Sequence, residues 1–345
     1  MLTREDLRAL PKAHLHLHFT GSLADETLAE LAAAADIRLP RGIVGSTPAN
    51  LSPDQRGWFR FQRLYDAARA VVRGETIMRR VVAEAAAADR AEGSRWLELQ
   101  IDPTSYGPYV GGITPALEIV LDEAAQQSGP DFGLAIIVAA SRTRSQFEAR
   151  TLARLAAQYA GDGPATVVGF GLSNDERRGS TAEFRHAFRI ARSAGLASLP
   201  HGGELLGPEH IREVITHLRP DRLGHGVRAV EDPQLLAEIV EAGIGLEVCP
   251  GSNVSLGVYA TPAQVPLRRL YNSGAQLALG ADDPLIFDSR LLDQYVAAAE
   301  AGLTRAEIAE LARQSFAISR APAAVTQAAI ADIDRWEAGL RTGSR

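Results

Sequence analysis

The sequence predicts an α/β protein that forms a (β/α)8 barrel, and three observations support this fold class. Short apolar stretches alternate with Ala-, Leu- and Glu-rich stretches of helical spacing along the whole chain. Glycines follow several of the helical stretches at positions typical of helix C-termini. The strand and helix units number eight, and such alternation implies parallel strands joined by right-handed crossovers. Eight units favour a closed barrel over an open sheet.

The expected strands are short and apolar, and they end at polar or glycine-containing turns. They lie near residues 12–19, 95–101, 133–140, 166–173, 196–201, 222–226, 244–249 and 276–281. Helical periodicity between them is clearest in 77–92, 149–160 and 233–242. A chain of 345 residues suits one barrel, so we expect a single domain over 1–345 with a short flexible tail at 338–345.

The alternation of strands and helices is interrupted at residues 36–70. Residues 36–57 are rich in Pro, Gly, Ser and Asn, and an aromatic cluster follows them, formed by Trp58, Phe59, Phe61 and Tyr65. Because this insertion follows the first strand, we expect it over the C-terminal mouth of the barrel, where it would act as a lid. The alternative is a passive surface loop whose aromatic side chains pack on the outer helices.

The amino-acid composition and net charge of the chain indicate which kinds of binding partner to expect. The formal net charge of −6 argues against a nucleic acid or a membrane surface, since either would favour a basic face. No apolar run is long and uncharged enough to span a bilayer, and residues 1–7 lack the apolar core of a signal peptide. The single Cys249 cannot form an internal disulfide, which suits a reducing cytoplasm. We therefore expect a soluble, cytoplasmic protein with a small-molecule partner; no oligomeric state is indicated.

Two histidines at the end of the first strand begin the candidate metal site. His16 and His18 are two residues apart, so in a strand both side chains point to the same face and can bind one metal ion. His14 shares that face one layer deeper, where we expect it to fill a core layer rather than contact the metal. The pattern predicts a metal centre at the C-terminal end of the barrel.

Three further motifs fall at the ends of later strands. They are His-Gly-Gly-Glu at 201–204, Gly-His-Gly at 224–226 and Ala-Asp-Asp-Pro at 281–284. His201 and Asp282 would complete a set of three imidazoles and one carboxylate with His16 and His18, which suits a catalytic Zn²⁺ with a position open for water. Water bound there would have its pKa lowered to about 7. The pattern indicates a hydrolytic metal enzyme.

Taken in order, these segments resemble the adenosine deaminase family of metal-dependent aminohydrolases. The resemblance runs from Pro11-Lys12 to the Asp-Asp-Pro motif and includes Cys-Pro-Gly-Ser-Asn at 249–253. It implies a (β/α)8 barrel, one zinc ion per subunit, and hydrolytic deamination of a 6-aminopurine to the 6-oxo product and ammonia.

The resemblance also implies a role for each residue. His16, His18, His201 and Asp282 match the zinc ligands, and Asp282 counts among the catalytic residues. Glu204 matches the acid that protonates purine N1, and a buried glutamate with a raised pKa can be such a donor near neutral pH. His225 matches the histidine that holds the attacking water. The implied substrate contacts are His18, Thr20, Asn174, through its backbone N–H to purine N3, and Asp283, which faces N7.

Four positions depart from the family pattern. The family commonly has Glu in place of His14 and Arg in place of Gln100, and we expect neither residue to touch the metal ligands. Asn174 replaces a Gly, but Asn tolerates left-handed backbone angles and keeps the N–H. Thr20 replaces an acid that accepts a hydrogen bond from the ribose 5′-hydroxyl.

The neutral Thr20 favours an adenosine modified at its 5′ carbon, because it would repel an anionic 5′ group less than an acid would. Aminodeoxyfutalosine, a menaquinone precursor, is one such compound. Arg56, Arg60 and Arg63 could contact an acidic substituent, although an exposed helix face explains them equally well.

Other readings of the site stay open. An adenine-type or AMP-type deaminase would use the same residues. Another metal-dependent amidohydrolase is a second alternative, since similar barrels host many hydrolyses. The absence of Lys after the early strands counts against a binuclear site bridged by a carboxylated lysine. A catalytically silent purine-binding protein is a third alternative, and Glu204 argues against it because binding needs no proton donor.

Overall fold

The barrel predicted from the sequence is present in the structure, a computed structural model that describes residues 2–43 and 51–339. Eight parallel strands pair in chain order. They are β1 (Lys12–His18), β2 (Ser94–Ile101), β3 (Gly133–Ser141), β4 (Val167–Ser173), β5 (Ala197–Gly202), β6 (Arg222–His225), β7 (Gly245–Val248) and β8 (Leu277–Leu279). The (β/α)8 prediction is confirmed.

The barrel closes just beyond β8. The backbone N–H of Asp282 donates to the carbonyl of His16, and the N–H of His18 donates to the carbonyl of Asp282, both at 3.0 Å. The expected eighth strand, 276–281, is longer than the observed one, because the chain leaves regular pairing at Gly280 and Asp282 adopts a left-handed φ of 62°. This closure brings the Asp-Asp-Pro motif against the end of β1.

Helices lie between the strands. In the described residues the α-helices are α1 (Arg4–Ala9), α2 (Asp25–Ala34), α3 (Gln55–Val71), α4 (Glu75–Ala91), α5 (Gly107–Val110), α6 (Ile113–Gln127), α7 (Gln146–Gln158), α8 (Arg185–Ser193), α9 (Pro208–Leu218), α10 (Pro233–Glu241), α11 (Pro250–Ser255), α12 (Leu267–Asn272), α13 (Pro284–Phe287), α14 (Leu291–Glu300), α15 (Arg305–Ala317) and α16 (Ala323–Glu337). None of them is long and apolar enough to cross a membrane.

The insertion predicted at 36–70 contains all of α3 except its last residue, Val71. Asp54 starts this helix, because its carboxylate accepts hydrogen bonds from the N–H groups of Arg56 and Gly57 at 2.9 and 3.0 Å. Residues 44–50 of the insertion and 340–345 of the predicted tail lie outside the described residues. The movement of the insertion as a lid and the flexibility of the tail stay predictions.

Candidate active site

The four predicted metal ligands lie together at the C-terminal end of the barrel. The His16 ring centre is 5.2 Å from that of His18 and 4.8 Å from that of His201. Asp282 Oδ1 lies 3.1 Å from His18 Nε2 and 3.6 Å from His16 Nε2. All four side chains are nearly inaccessible to solvent. The structure therefore places three imidazoles and one carboxylate around a common point.

This donor set fits a divalent metal ion. One ligand atom from each of His16, His18 and His201 lies within 4.8 Å of the others. His16 Nε2 is buried and has no hydrogen-bond partner, which is costly for a polar atom unless something else binds it. Nitrogen donors with one carboxylate oxygen are the usual ligands of a catalytic zinc site. The group is a candidate His/Asp metal centre.

Two residues of the site have backbone angles that are rare for side chains larger than glycine. His225 has a φ of 70° and Asp282 a φ of 62°. Such conformations cost free energy, and they persist where the surrounding structure holds them. At Asp282 the two hydrogen bonds to β1 do so. Strained backbone at a buried polar cluster is typical of functional sites.

Glu204 and His225 lie beside the candidate metal ligands. His225 Nε2 is 3.7 Å from Glu204 Oε1, and both side chains are buried. Burial raises the pKa of Glu204 well above its usual range, and the charges of Asp282 and Glu176 act in the same direction. Burial lowers the pKa of His225 to about 3. The raised pKa of Glu204 favours its protonated carboxyl group, and the lowered pKa of His225 favours its neutral imidazole.

Asp283 is a second buried carboxyl group. Its Oδ1 has no hydrogen-bond partner. Burial raises its pKa well above the usual range, and the adjacent charge of Asp282 adds to the shift. A side chain at Gly21 would bring a Cβ to 1.9 Å from this oxygen, so only glycine fits there. In its protonated form, which the raised pKa favours, this carboxyl group can donate a hydrogen bond to an acceptor in the cavity.

A cavity of about 670 Å³ opens in front of these groups. Glu204, His225, Asp282 and Asp283 form part of its wall, and Asn174 lies in the same wall after β4. Asn174 has a φ of 78°, the left-handed conformation expected for a residue in place of glycine, and its side-chain oxygen accepts the N–H of Asp175. The cavity is large enough for a purine nucleoside with a substituent.

Aromatic residues of α3 line the same cavity. Trp58, Phe61 and Tyr65 belong to its wall. The Phe61 ring stacks on Phe287 with ring centres 5.5 Å apart, and Trp58 packs against Phe61 at 5.0 Å. These contacts indicate that the aromatic residues of α3 lie over the mouth of the barrel and do not pack on the outer helices.

Thr20 is placed differently from the predicted substrate contact. Its side chain is fully buried, and its hydroxyl is hydrogen-bonded to the hydroxyl of Tyr106. Tyr106 lines the cavity, whereas Thr20 is not among the residues that do. Sequence reasoning missed Tyr106, although its place in the loop after β2 is where barrel enzymes carry site residues. A direct contact between Thr20 and the substrate stays a prediction.

The arginines proposed to meet an acidic substituent are also placed differently. Arg56, Arg60 and Arg63 are exposed, and none of them lines the cavity. Arg69, on the same helix, does line it. Its guanidinium lies 4.9 Å above the Tyr65 ring centre and 3.3 Å from Asp66.

Two further expectations concern residues near the ligands. The prediction that Gln100 does not touch the metal ligands is wrong, because its side-chain amide lies 2.9 Å from His18 Nδ1. His14 fills a core position, as expected. Its Nδ1 is 2.8 Å from Asp89 Oδ1, and its Nε2 accepts the backbone N–H of Ala281. Both ring nitrogens of His14 are thus occupied by protein groups.

Comparison with known proteins gives consistent matches. A family model described as adenosine deaminase matches residues 11–336. A Streptomyces coelicolor protein named "Putative adenosine/adenine deaminase" is 54% identical over 96% of this chain and 98% of its own length. An adenine deaminase of Sinorhizobium medicae is 34% identical over 89% of this chain and 93% of its own length. The crystal structure of an adenine deaminase from Arthrobacter aurescens superposes with a TM-score of 0.84 and 26% identity, covering 95% of this chain and 99% of that one.

Proposed function

Because the chain belongs to the adenosine deaminase family and is therefore a hydrolase of C–N bonds, we propose that it deaminates a 6-aminopurine nucleoside with the help of one zinc ion per subunit. The products are the 6-oxo purine and ammonia. The observation that carries the proposal is the buried group of three imidazoles and Asp282 beside the buried carboxyl group of Glu204, whose pKa is raised.

The zinc ion would be held by His16, His18, His201 and Asp282. When bound, it supplies Lewis-acid activation of a water molecule. The neutral His225 beside this position accepts a hydrogen bond from the water and receives its proton as the oxygen attacks purine C6. Burial excludes bulk water, which strengthens each of these interactions.

The remaining polar groups orient the purine. Glu204, whose raised pKa favours the protonated form, donates its proton to N1 as the C6–O bond forms, which relieves negative charge on the ring. Asp283, whose pKa burial also raises, donates a hydrogen bond to N7 in its protonated form. The backbone N–H of Asn174 contacts N3. His225 then returns its proton to the amino nitrogen as the C6–N bond breaks, so ammonia leaves, and the C6 hydroxyl gives its proton back to Glu204 as the 6-oxo group forms.

The proposed substrate is adenosine or an adenosine modified at its 5′ carbon. Two observations support tolerance of an acidic 5′ substituent. The usual acid is replaced by the neutral pair of Thr20 and Tyr106, and Arg69 lies in the same cavity wall as Tyr106. The cavity volume of about 670 Å³ leaves room beyond a nucleoside. Aminodeoxyfutalosine and adenosine 5′-monophosphate are two compounds of this class.

A second candidate function is deamination of free adenine. It is supported by the similarity to the Sinorhizobium medicae protein, which is named an adenine deaminase. It would use the same metal ligands and the same acid. Free adenine leaves most of the observed cavity unfilled, which favours the nucleoside. The cytoplasmic location indicated by the single Cys249 belongs to this proposal as well.

The test is a comparison of kcat/KM for adenosine, adenosine monophosphate, aminodeoxyfutalosine and adenine. Each reaction is monitored by the change in ultraviolet absorbance that accompanies conversion of the 6-amino to the 6-oxo purine. We expect a nucleoside to be preferred over adenine, and activity to be lost with a chelator and restored by zinc. A preference for adenine would select the second candidate. A strong preference for unmodified adenosine would contradict the proposal that the substrate is modified at its 5′ carbon.

A further inference from the structure

A chain of buried charged side chains leads from His16 into the barrel. Glu247 Oε2 lies 2.8 Å from His16 Nδ1. The other oxygen of Glu247 accepts a hydrogen bond from Arg222 Nε at 2.6 Å. Arg222 also donates through Nη2 to Glu98. These side chains belong to β1, β7, β6 and β2, and all are buried.

The contact with Glu247 determines which nitrogen of His16 is free. A carboxylate accepts hydrogen bonds, so His16 Nδ1 carries the proton and donates it to Glu247. The lone pair is then on Nε2, which has no protein partner and faces Asp282. Metal-binding histidines are commonly oriented in this way by a carboxylate on their second nitrogen.

Glu247 is itself held from several sides. Arg222 uses its third donor, Nη1, for the carbonyl of Ile318 at 2.7 Å. Glu98 accepts hydrogen bonds from Trp96 Nε1 at 3.0 Å and from the backbone N–H of Arg320 at 2.6 Å. Every position of this network is thus fixed by another group.

A contribution to the stability of the fold does not by itself explain this network of buried charges. Buried ion pairs often contribute little net stability, because removing the charges from water costs free energy. Here two carboxylates face one guanidinium, so the network keeps an excess negative charge in the barrel interior. A dication at the neighbouring ligands would offset that charge.

We propose that Glu247, fixed by Arg222 and Glu98, is a positioning residue that orients His16 for zinc and raises the affinity of the site for the metal. The inference rests on the proposed role of His16 as a zinc ligand.

The same strand contains a matched control. His14 and Asp89 form a buried histidine–carboxylate pair with the same separation of 2.8 Å. The second nitrogen of His14 is occupied by the N–H of Ala281, so this pair has no ligand to orient. Asp89→Asn therefore removes a comparable buried carboxylate from a histidine whose own ring is not a proposed metal ligand.

The experiment compares zinc retention by wild type, Glu247→Gln and Asp89→Asn. Each zinc-loaded protein is titrated with a competing chelator, and the released zinc is measured together with the thermal midpoint. We expect Glu247→Gln to weaken zinc binding by about 10- to 100-fold. Asp89→Asn is expected to retain wild-type affinity, even where its midpoint falls. Wild-type affinity in Glu247→Gln, or an equal loss in Asp89→Asn, would overturn the inference.

Glu247→Asp is the second variant, because Glu247→Gln leaves Arg222 beside a neutral amide and can reduce folding. The aspartate keeps the charge but is one methylene shorter, so we expect a smaller loss of zinc affinity in the same direction. An unchanged affinity in Glu247→Asp would overturn the inference where Glu247→Gln does not fold. A wild-type protein that binds no zinc would instead contradict the proposed function.

Discussion

The carboxylate of Glu176 accepts a hydrogen bond from the backbone N–H of Glu204 at 3.1 Å, so one buried acid holds the main chain of another. The second oxygen of Glu176 accepts the N–H groups of Leu205 and Leu206, both at 2.8 Å. The chain after β5 is thereby fixed at the point where Glu204 enters the cavity. Nothing in the spacing of the motifs indicated this contact.

We expect Glu176→Gln to lower kcat by at least about tenfold, because a displacement of a catalytic group by a fraction of an ångström is costly. The glutamine amide replaces one of the two acceptor oxygens with an NH2 group, which can only donate, so at least one of the three N–H contacts is lost. Steady-state kinetics and zinc content are the measurements. Glu209→Gln, on the exposed start of α9, is the control. Unchanged kcat in a folded Glu176→Gln would show that Glu204 does not depend on this contact.

The pH profile reports the protonation of Glu204. Burial raises the pKa of this carboxyl group, and the reaction needs its protonated form. As pH rises through that raised pKa the proton is lost, so kcat/KM is expected to fall on the alkaline side. The measurement is kcat/KM from about pH 5 to pH 10.

In Glu204→Gln the proton donor is removed at every pH. We expect turnover to fall by about 10²- to 10⁴-fold while zinc content stays at the wild-type level. Loss of zinc from this variant would mean that Glu204 supports the metal rather than the proton transfer.

The clustering of the candidate metal ligands could be predicted from the sequence, because these residues belong to short motifs at strand ends. The spacing of His16 and His18 already places both on one face of a strand. The ion pairs behind them could not be predicted. Glu98, Arg222 and Glu247 are far apart in the chain, and only the arrangement of β2, β6 and β7 around the barrel brings them together.

The arginine of α3 that lines the cavity could not be predicted from the sequence for a different reason. Arg56, Arg60 and Arg63 are close to the aromatic cluster in the sequence, whereas the residues of α3 that line the cavity follow helical spacing. Phe61, Tyr65 and Arg69 are four residues apart and share one face. The helical periodicity of these residues is visible in the sequence. Which face of α3 lines the cavity depends on packing contacts, such as the stacking of Phe61 on Phe287.

Gly224 is expected to be essential for the metal site, because a side chain there would collide with two ligands. A Cβ at this position would lie 2.8 Å from His201 Cδ2 and 2.9 Å from His16 Cε1. Gly224→Ala should displace these rings and weaken zinc binding by about tenfold or more. Chelator competition measures this loss. Gly163→Ala is the control, since its Cβ would meet no atom within 4 Å. Equal zinc affinity in both variants would contradict the prediction.

Arg69 is expected to determine the preference for an acidic 5′ substituent. It lies in the cavity wall, whereas Arg63, six residues earlier on the same helix, is exposed away from it. Arg69→Met should therefore lower kcat/KM for adenosine 5′-monophosphate by about tenfold, equivalent to about 1.4 kcal/mol, and change the value for adenosine much less.

The control for this variant is Arg63→Met, which removes the same charge from α3 without altering the cavity wall. A long-range effect of net charge would weaken the anionic substrate equally in both variants, and salt would screen it. A contact within the cavity weakens it only in Arg69→Met. Equal losses for adenosine and its monophosphate in Arg69→Met would indicate that Arg69 supports the fold of the cavity wall, through its contact with Tyr65, rather than the choice of substrate.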